Sequence, residues 1–200
     1  MELKEKFAAW IQQEKKALDN IPLDGSLERA VEMMHDRIHL NGGKIVVAGV
    51  GKAGNIGMKI ASTFASTGSP AVFLPPLDAQ HGELGLLQKQ DVLILISNSG
   101  QTEEVLQLKD LVAALYPEIP AILITGNPSC ELAEVCDITI STGSTQEICP
   151  LGLTPTTSTT VMTVIGDLLV VAMMDKITFN REDYGKRHHS GYLGNKARHT

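Results

Sequence analysis

Short aliphatic runs without polar alternation recur through the middle of the chain. Five of them have the length of a strand and occupy 44–48, 71–74, 91–96, 121–125 and 137–140. Segments long enough for helices separate several of these runs, at 55–66, 102–115 and 129–135. Strands of this kind are buried on both faces, and such crossovers are typical of parallel pairing. The pattern therefore predicts an α/β fold, a doubly wound five-stranded parallel sheet flanked by helices.

Helical patterns precede and follow the predicted sheet. Apolar residues spaced for one helical face run through the first 18 residues, and Pro22 follows the end of that helix. A second helix is predicted from Ser26 to about 41–43. Beyond the last strand, a long aliphatic helix is expected over 157–177, and the polar, basic tail after it would be disordered unless docked.

These patterns predict two parts of unequal size. An N-terminal helical segment, 1–43, would pack on a single domain, 44–200, which contains the sheet. No internal repeat or low-complexity linker divides the larger part.

Charge and cysteine content narrow the class of protein. The net charge is -6 without a long basic run, which argues against nucleic acid or an anionic membrane as partner. The three cysteines are odd in number and lack CxxC spacing, so a reducing cytoplasm is the expected location. The N-terminus has no apolar signal core, and the apolar stretch 161–174 is interrupted and too short to span a bilayer.

The loop after the third predicted strand is unusually rich in hydroxyl and amide groups. It reads "SNSGQTEE" from Ser97 to Glu104, and its Ser97, Ser99 and Thr102 can all donate hydrogen bonds. A helix beginning near Thr102 would add free backbone amides and the positive end of its dipole. One of these residues could simply cap the helix, but capping does not require three hydroxyls. The loop predicts a cradle for an anion such as phosphate.

A second candidate loop follows the first strand and reads "GVGKAGNIG". It matches G-x-G-x-x-G, but a nicotinamide site would want an acid directly at the end of the second strand, and "AVFLPPLD" places two prolines before Asp78. Tight strand-to-helix packing would explain the glycines but not Lys52. If the strand order is 2-1-3-4-5, Lys52 and the hydroxyl loop face one crevice at the switch point of the sheet.

Several motifs together resemble the sugar isomerase (SIS) domain family, and within it the D-arabinose 5-phosphate isomerases. They are "VVAGVGKAGNIG", "HGELG", "ISNSGQTEEVL", "CPLGLTPTTSTT" and "HHSGYLG". The resemblance runs from about residue 44 to the end and implies a flavodoxin-like strand order. The two regulatory modules of the cystathionine-β-synthase type are expected to be absent, because the sequence stops where they would begin.

The resemblance implies aldose–ketose isomerisation of D-ribulose 5-phosphate and D-arabinose 5-phosphate through an enediol. This reaction would supply the eight-carbon acidic sugar of lipopolysaccharide. The expected phosphate-binding residues are Gly51, Lys52, Ser97, Asn98, Ser99 and Thr102. A serine common in relatives is replaced by Ala53, so Lys52 would contribute more to anion binding.

Proton transfer needs carboxylates or histidines near the phosphate. The residues expected to act in catalysis are Lys52, His81, Glu104, Glu147 and His188. Glu104 or His188 would be the base, with Glu147 and His81 assisting ring opening and proton return. Glu103 would suit a helix N-terminus equally well, and only the resemblance favours Glu104. His189 stands where the family pattern has proline and could substitute for His188.

No cofactor or metal is expected to be required, although His81 and His188 could hold an inhibitory metal. His35 and His39 have metal-binding spacing, but an amphipathic helix surface explains them better. A homotetramer with sites at subunit boundaries is expected, as is inhibition by a late-pathway sugar nucleotide. The alternatives are a zinc-dependent sedoheptulose 7-phosphate isomerase and a non-catalytic sugar-phosphate-binding regulator.

Overall fold

A computed structural model describes residues 2–199, with side chains described through residue 198. The strands are β1 Ile45–Gly49, β2 Ala71–Phe73, β3 Val92–Ile96, β4 Ala121–Thr125 and β5 Ile138–Ser141. The α-helices are α1 Leu3–Asp19, α2 Ser26–Met34, α3 Gly51–Ser66, α4 Pro76–Ala79, α5 Glu103–Leu115, α6 Glu131–Val135, α7 Thr157–Lys176, α8 Arg181–Arg187 and α9 Gly191–His199. A π-helical segment, His35–Leu40, continues α2, and a 3-10 helix spans Glu83–Leu86.

The five strands form one parallel sheet in the order β2-β1-β3-β4-β5. β1 pairs with β3 along its whole length, from Ile45 opposite Val92 to Gly49 opposite Ile96. The predicted α/β class and strand order are therefore confirmed. The order places the switch point between β1 and β3, where the connections leave in opposite directions.

Each face of the sheet has its own hydrophobic core, because side chains alternate along a strand. Ile45, Val47 and Ile94 face the layer that contains α1, α2, α3 and α7. Val46, Leu93 and Leu95 face the layer that contains α4, α5 and α6. All six side chains are fully buried, which explains why these strands show no polar alternation in the sequence.

α3 and α7 pack closely at a glycine in the middle of α7. A Cβ atom on Gly166 would lie 2.4 Å from the Cδ1 atom of Ile60, so a larger residue here would displace the Ile60 side chain. By length and composition alone α7 could span a membrane, but half of its most apolar window is buried within the fold. That burial is the pattern of a core helix.

The start of α3 and the C-terminal tail differ from the sequence predictions. α3 begins at Gly51, four residues before the predicted start, because Gly51 enters the helix with a positive φ of 61°. The tail folds into α8 and α9, which pack near Met174 at the end of α7. Phe179 fixes this region against Gly68, which precedes β2 at the amino edge of the sheet. The proposed division of the chain at residue 43 remains a prediction.

Candidate functional site

A cleft of about 320 Å³ opens where the carboxyl ends of β1 and β3 meet the N-terminus of α7. Its lining residues are Val50, Lys52, Ala53, Ile96, Ser97, Asn98, Ser99, Thr102, Pro155, Ser158, Thr159 and Met162. A larger cleft of about 780 Å³ lies beside α8 and α9, so the chemistry of the lining rather than size selects this site. The structure thus brings Lys52 and the hydroxyl loop into one crevice, as predicted.

The loop Ser97–Thr102, here called the serine loop, is shaped by its own hydroxyl groups. The Oγ atom of Ser97 lies 2.8 Å from the Oγ1 atom of Thr102 and accepts a hydrogen bond from the Gly100 amide at 3.1 Å. The Gln101 amide donates to the Oγ atom of Ser99 at 3.2 Å. Thr102 precedes α5, yet its side chain makes no capping hydrogen bond. Helix capping therefore does not account for the Thr102 hydroxyl.

Residues after β4 support the serine loop from behind. A Cβ atom on Gly100 would lie 2.0 Å from the sulfur of buried Cys130, so only glycine fits there. The side-chain amide of Asn127 donates to the Ser99 carbonyl at 3.4 Å. Ser97 itself is only 2% exposed. Packing within the chain therefore preforms the cradle.

The glycine loop after β1 brings a helix N-terminus to the same cleft. A Cβ atom on Gly54 would lie 2.7 Å from the Gly49 carbonyl oxygen, so this glycine permits close strand-to-helix packing. Lys52, in the first turn of α3, is exposed and has no ion-pair partner within residues 2–199. Ala53 also lines the cleft and offers no hydroxyl. Lys52 is therefore a cation available to an anionic ligand.

Glu147 lies at the N-terminus of α7 and is tied to it by hydrogen bonds. The Thr156 amide and hydroxyl donate to its Oε2 atom at 2.7 and 2.8 Å, and the Ser158 hydroxyl donates to its Oε1 atom. Partial burial disfavours the charged carboxylate, but the bonds from Ser158 and Thr156 outweigh it and hold the pKa of Glu147 below its ordinary value. Glu147 is thus an anion that orients the start of α7, and Ser158 links it to the cleft.

A thiol shapes the loop between Glu147 and α7. The Cys149 sulfur accepts hydrogen bonds from the Thr154 amide at 3.1 Å and the Leu153 amide at 3.3 Å. These hydrogen bonds lower the pKa of the half-buried thiol to about 7, and the bond from Thr154 has the largest effect. The sequence motif did not indicate this arrangement.

The two glutamates at the start of α5 have different surroundings. Glu103 is exposed and accepts a hydrogen bond from Gln107 at 3.0 Å, and Gln107 in turn contacts Gln80. Glu104 is half-buried in the same helical turn and does not line the cleft. The carboxylate of Glu103 is engaged on the surface, which leaves Glu104 as the better candidate for chemistry.

The two candidate histidines lie outside the cleft of their own chain. His81 is exposed in the turn after α4. His188 follows α8, where its ring stacks on Tyr184 at 3.7 Å and its Nδ1 atom contacts the Tyr184 carbonyl at 3.0 Å. His189 is exposed beside it. Among the side chains of residues 2–198, no group of three potential metal ligands forms around these histidines or elsewhere.

Four residues on the α7 side of the cleft were not identified as site residues from the sequence: Pro155, Ser158, Thr159 and Met162. They belong to the "CPLGLTPTTSTT" motif and the start of α7, which tertiary packing brings opposite the serine loop. The Ser158 and Thr159 hydroxyls bond Glu147 and the Thr156 carbonyl, respectively. This side of the cleft is therefore ordered by internal hydrogen bonds. The free hydrogen-bond donors of the cleft belong to the serine loop and to Lys52.

Comparison with known proteins agrees with this geometry. Residues 40–172 match the SIS domain. The chain is 46% identical over 154 residues to arabinose 5-phosphate isomerase KdsD of Escherichia coli strain K12, covering 77% of this chain and 46% of that protein. It is 41% identical over 174 residues to arabinose 5-phosphate isomerase KdsD of Francisella tularensis strain SCHU S4, covering 87% of this chain and 52% of the relative. The chain thus spans about half the length of these curated relatives.

Two solved structures share the fold over nearly the whole chain. One, from Bacteroides fragilis, is assigned as a phosphosugar isomerase involved in capsule formation. It has a TM-score of 0.94 and 52% identity, and the match covers 96% of this chain and all of that one. The other is a protein of E. coli CFT073 in complex with arabinose 5-phosphate, with a TM-score of 0.85 and 33% identity over 94% of this chain and all of that one. The family match, these relatives and the cleft at the switch point agree: the chain belongs to the SIS domain family.

Proposed function

We propose that this chain is an aldose–ketose isomerase that interconverts D-ribulose 5-phosphate and D-arabinose 5-phosphate. The observation that carries the proposal is the cleft in which the preformed serine loop faces the available cation of Lys52. The names of the similar isomerases, and the complex of the E. coli CFT073 protein with arabinose 5-phosphate, support this substrate over other anions.

The phosphate would bind to the serine loop and the N-terminus of α5. Ser97, Ser99 and Thr102 supply hydroxyls, Asn98 an amide, and the start of α5 its free backbone N–H groups. Gly51 and Lys52 approach from the start of α3. Lys52 would neutralise charge on the phosphate or on the enediolate oxygen.

The proposed chemistry moves two protons and leaves the composition of the sugar unchanged. Starting from ribulose 5-phosphate, a base removes a proton from C1 while the carbonyl oxygen at C2 gains one, which gives the enediol. The hydroxyl at C1 then loses its proton as C2 gains one, and the aldehyde of arabinose 5-phosphate forms. Glu104 or His188 would be the base. The hydrogen bonds to Glu147 keep it ionised, so it would accept protons or orient groups when the ring of arabinose 5-phosphate opens in the reverse direction.

We infer that His188 reaches the cleft from a second copy of the chain. The 20 residues of α7 span about 30 Å, and α8 packs near the end of α7 opposite Ser158. Among residues 2–198, none beyond Met162 lines the cleft. A site at a subunit boundary would bring His188 to the substrate.

The surface of α1 supports association between copies. Leu3, Phe7 and Ile11 recur every four residues on one face, and each is more than half exposed. The family resemblance favours a homotetramer. Light scattering at micromolar concentration should give a tetrameric mass, and a monomeric mass would contradict the shared site.

In this proposal the enzyme is cytoplasmic, needs no metal or organic cofactor, and has neither nucleic-acid nor membrane partners. It would supply arabinose 5-phosphate for the eight-carbon acidic sugar of lipopolysaccharide.

A late-pathway sugar nucleotide carries anionic groups suited to the same hydroxyls and Lys52. It should therefore inhibit competitively, raising KM in a steady-state titration. An effect on kcat alone, or no inhibition, would contradict binding in the shared cleft.

The direct test is product formation from ribulose 5-phosphate, followed by NMR, beside a parallel reaction with sedoheptulose 7-phosphate. Both reactions are run with and without a chelator. We expect ribulose 5-phosphate to be converted to arabinose 5-phosphate at the same rate with and without the chelator. Conversion of sedoheptulose 7-phosphate alone, or chelator-sensitive activity, would instead favour the zinc-dependent isomerase. Binding of sugar phosphate without turnover would favour a regulator.

A further inference from the structure

The N-terminal helix α1 contacts the segment that carries Glu147 at three points. The side-chain amide of Gln13 donates to the Gln146 carbonyl at 2.7 Å. The Thr157 hydroxyl donates to the Oε1 atom of Glu14 at 2.8 Å. After the end of α1, the Asn20 carbonyl lies so close to Gly143 that a Cβ atom there would approach it to 2.4 Å.

These contacts lie on both sides of Glu147 in the sequence. Gln146 directly precedes Glu147, and Thr157 stands between Thr156 and Ser158, whose hydroxyls both donate to its carboxylate. Thr157 is fully buried. α1 therefore holds the backbone just before Glu147 and the helix turn that binds its side chain.

The environment of Glu14 is not explained by folding stability alone. Its Oε2 atom is buried and has no hydrogen-bond partner in the described part of the chain. Burying a polar atom without a partner opposes folding. The other oxygen bonds the first residue of α7, where the helix dipole favours a negative charge. A carboxylate with one buried, unpartnered oxygen in this place suits a residue that fixes the start of α7.

The serine loop is held by other parts of the fold. Ser97 continues β3, and Cys130 and Asn127 support the loop from the β4 side. The hydrogen bonds from α1 to distant residues go to Gln146 and Thr157, not to this loop. The two walls of the cleft therefore have separate supports.

We propose that Glu14, assisted by Gln13, is a positioning residue that sets Glu147 and Ser158 relative to the bound substrate. The proposal rests on the proposed isomerase function. Because the hydroxyl and amide groups proposed to bind the phosphate lie in the independently supported serine loop, loss of Glu14 should slow the chemical step and leave substrate binding nearly unchanged.

The kinetic test compares Glu14→Ala, Glu14→Gln and Gln13→Ala with Lys15→Ala, a change at an exposed neighbour on α1. Glu14→Ala should lower kcat about tenfold with KM changed less than about twofold, since small misplacements of reacting groups slow chemistry strongly. Glu14→Gln keeps an oxygen acceptor for Thr157 and should retain kcat within about threefold. Gln13→Ala, which leaves α1 docked, should lower kcat by about threefold. Lys15→Ala should match the wild type.

Hydrogen–deuterium exchange supplies a readout that does not need activity. Glu14→Ala should speed amide exchange over 143–158 and leave exchange over 97–102 unchanged. Unchanged exchange over 143–158, or a raised KM with wild-type kcat, would overturn the proposal. If the wild type fails to isomerise ribulose 5-phosphate, the proposed function fails, and the exchange experiment still decides whether α1 fixes the segment.

Discussion

The serine loop and the C-terminal helices α8 and α9 both contribute to the proposed site, but they lie in different parts of the fold. The serine loop is fixed by internal hydrogen bonds and by packing against Cys130. His188 lies near the far end of α7, where its ring stacks on Tyr184. One chain can therefore form an anion cradle by itself, whereas in the proposed site the histidine comes from a second copy.

The largest expected effect comes from removing the positive charge of Lys52, which lines the cleft together with the serine loop. Lys52→Met should lower kcat/KM by about 100-fold, because a placed charge in a cleft stabilises developing negative charge. The matched control is Lys59→Met on the same helix, where Lys59 instead pairs with partly exposed Asp167. Such a surface pair contributes about 0–1 kcal/mol, so the control should keep wild-type kinetics. Steady-state assays with ribulose 5-phosphate measure both, and equal losses would contradict a specific role for Lys52.

A smaller effect is expected when one hydroxyl of the serine loop is removed. Ser99→Ala should raise KM about tenfold, since a hydrogen bond to a charged group contributes about 1.5–3 kcal/mol. Ser66→Ala serves as the control, because that hydroxyl bonds the Thr63 carbonyl near the end of α3. A wild-type KM in Ser99→Ala would mean that the Ser99 hydroxyl only shapes the loop.

The smallest effect concerns the pH dependence of stability. The pKa of Glu147 is lowered in the folded state from an ordinary value of 4.5, so its ionised form stabilises the fold above that pH. This contribution is lost as the pH falls through the lower, folded-state value. Glu147→Gln should therefore lower Tm at pH 7 by about 1–2 °C, a small shift because the carboxylate is partly screened by solvent, and less in acid.

Thermal melts between pH 7 and pH 3 measure this difference. Ser158→Ala removes a hydrogen-bond donor to the same carboxylate and should reproduce the trend. A Tm difference between wild type and Glu147→Gln that grows toward acid would contradict the assignment.

The sequence was most informative where local pattern and structure coincide. The uninterrupted aliphatic runs predicted the strands because both faces of the sheet are covered by helices. The serine loop was predicted as an anion cradle because its hydroxyls are adjacent in the sequence. Contacts between distant residues that neither a motif nor the strand order connects were missed. Glu14 and Thr157 are 143 positions apart, and no local pattern signals that they bond.

The location of His188 was likewise beyond sequence reasoning. Its motif suggested a role in catalysis, but its place depends on how Phe179 packs against Gly68 and how α8 follows α7. The start of α3 was predicted late, because glycines usually disfavour helices. Here Gly51 and Gly54 are needed for the turn and for close packing against Gly49.

Subunit complementation tests most directly the central claim that the site is divided between two copies. Lys52→Met and His188→Ala are each purified alone and also co-expressed with different tags, and mixed assemblies are isolated through both tags. Each variant alone should convert ribulose 5-phosphate very slowly. Random mixing should restore about a quarter of the sites, because a site that takes Lys52 from one copy and His188 from another can be fully intact. Mixed assemblies as inactive as the separate variants would contradict a divided site and place both residues in the cleft of one chain.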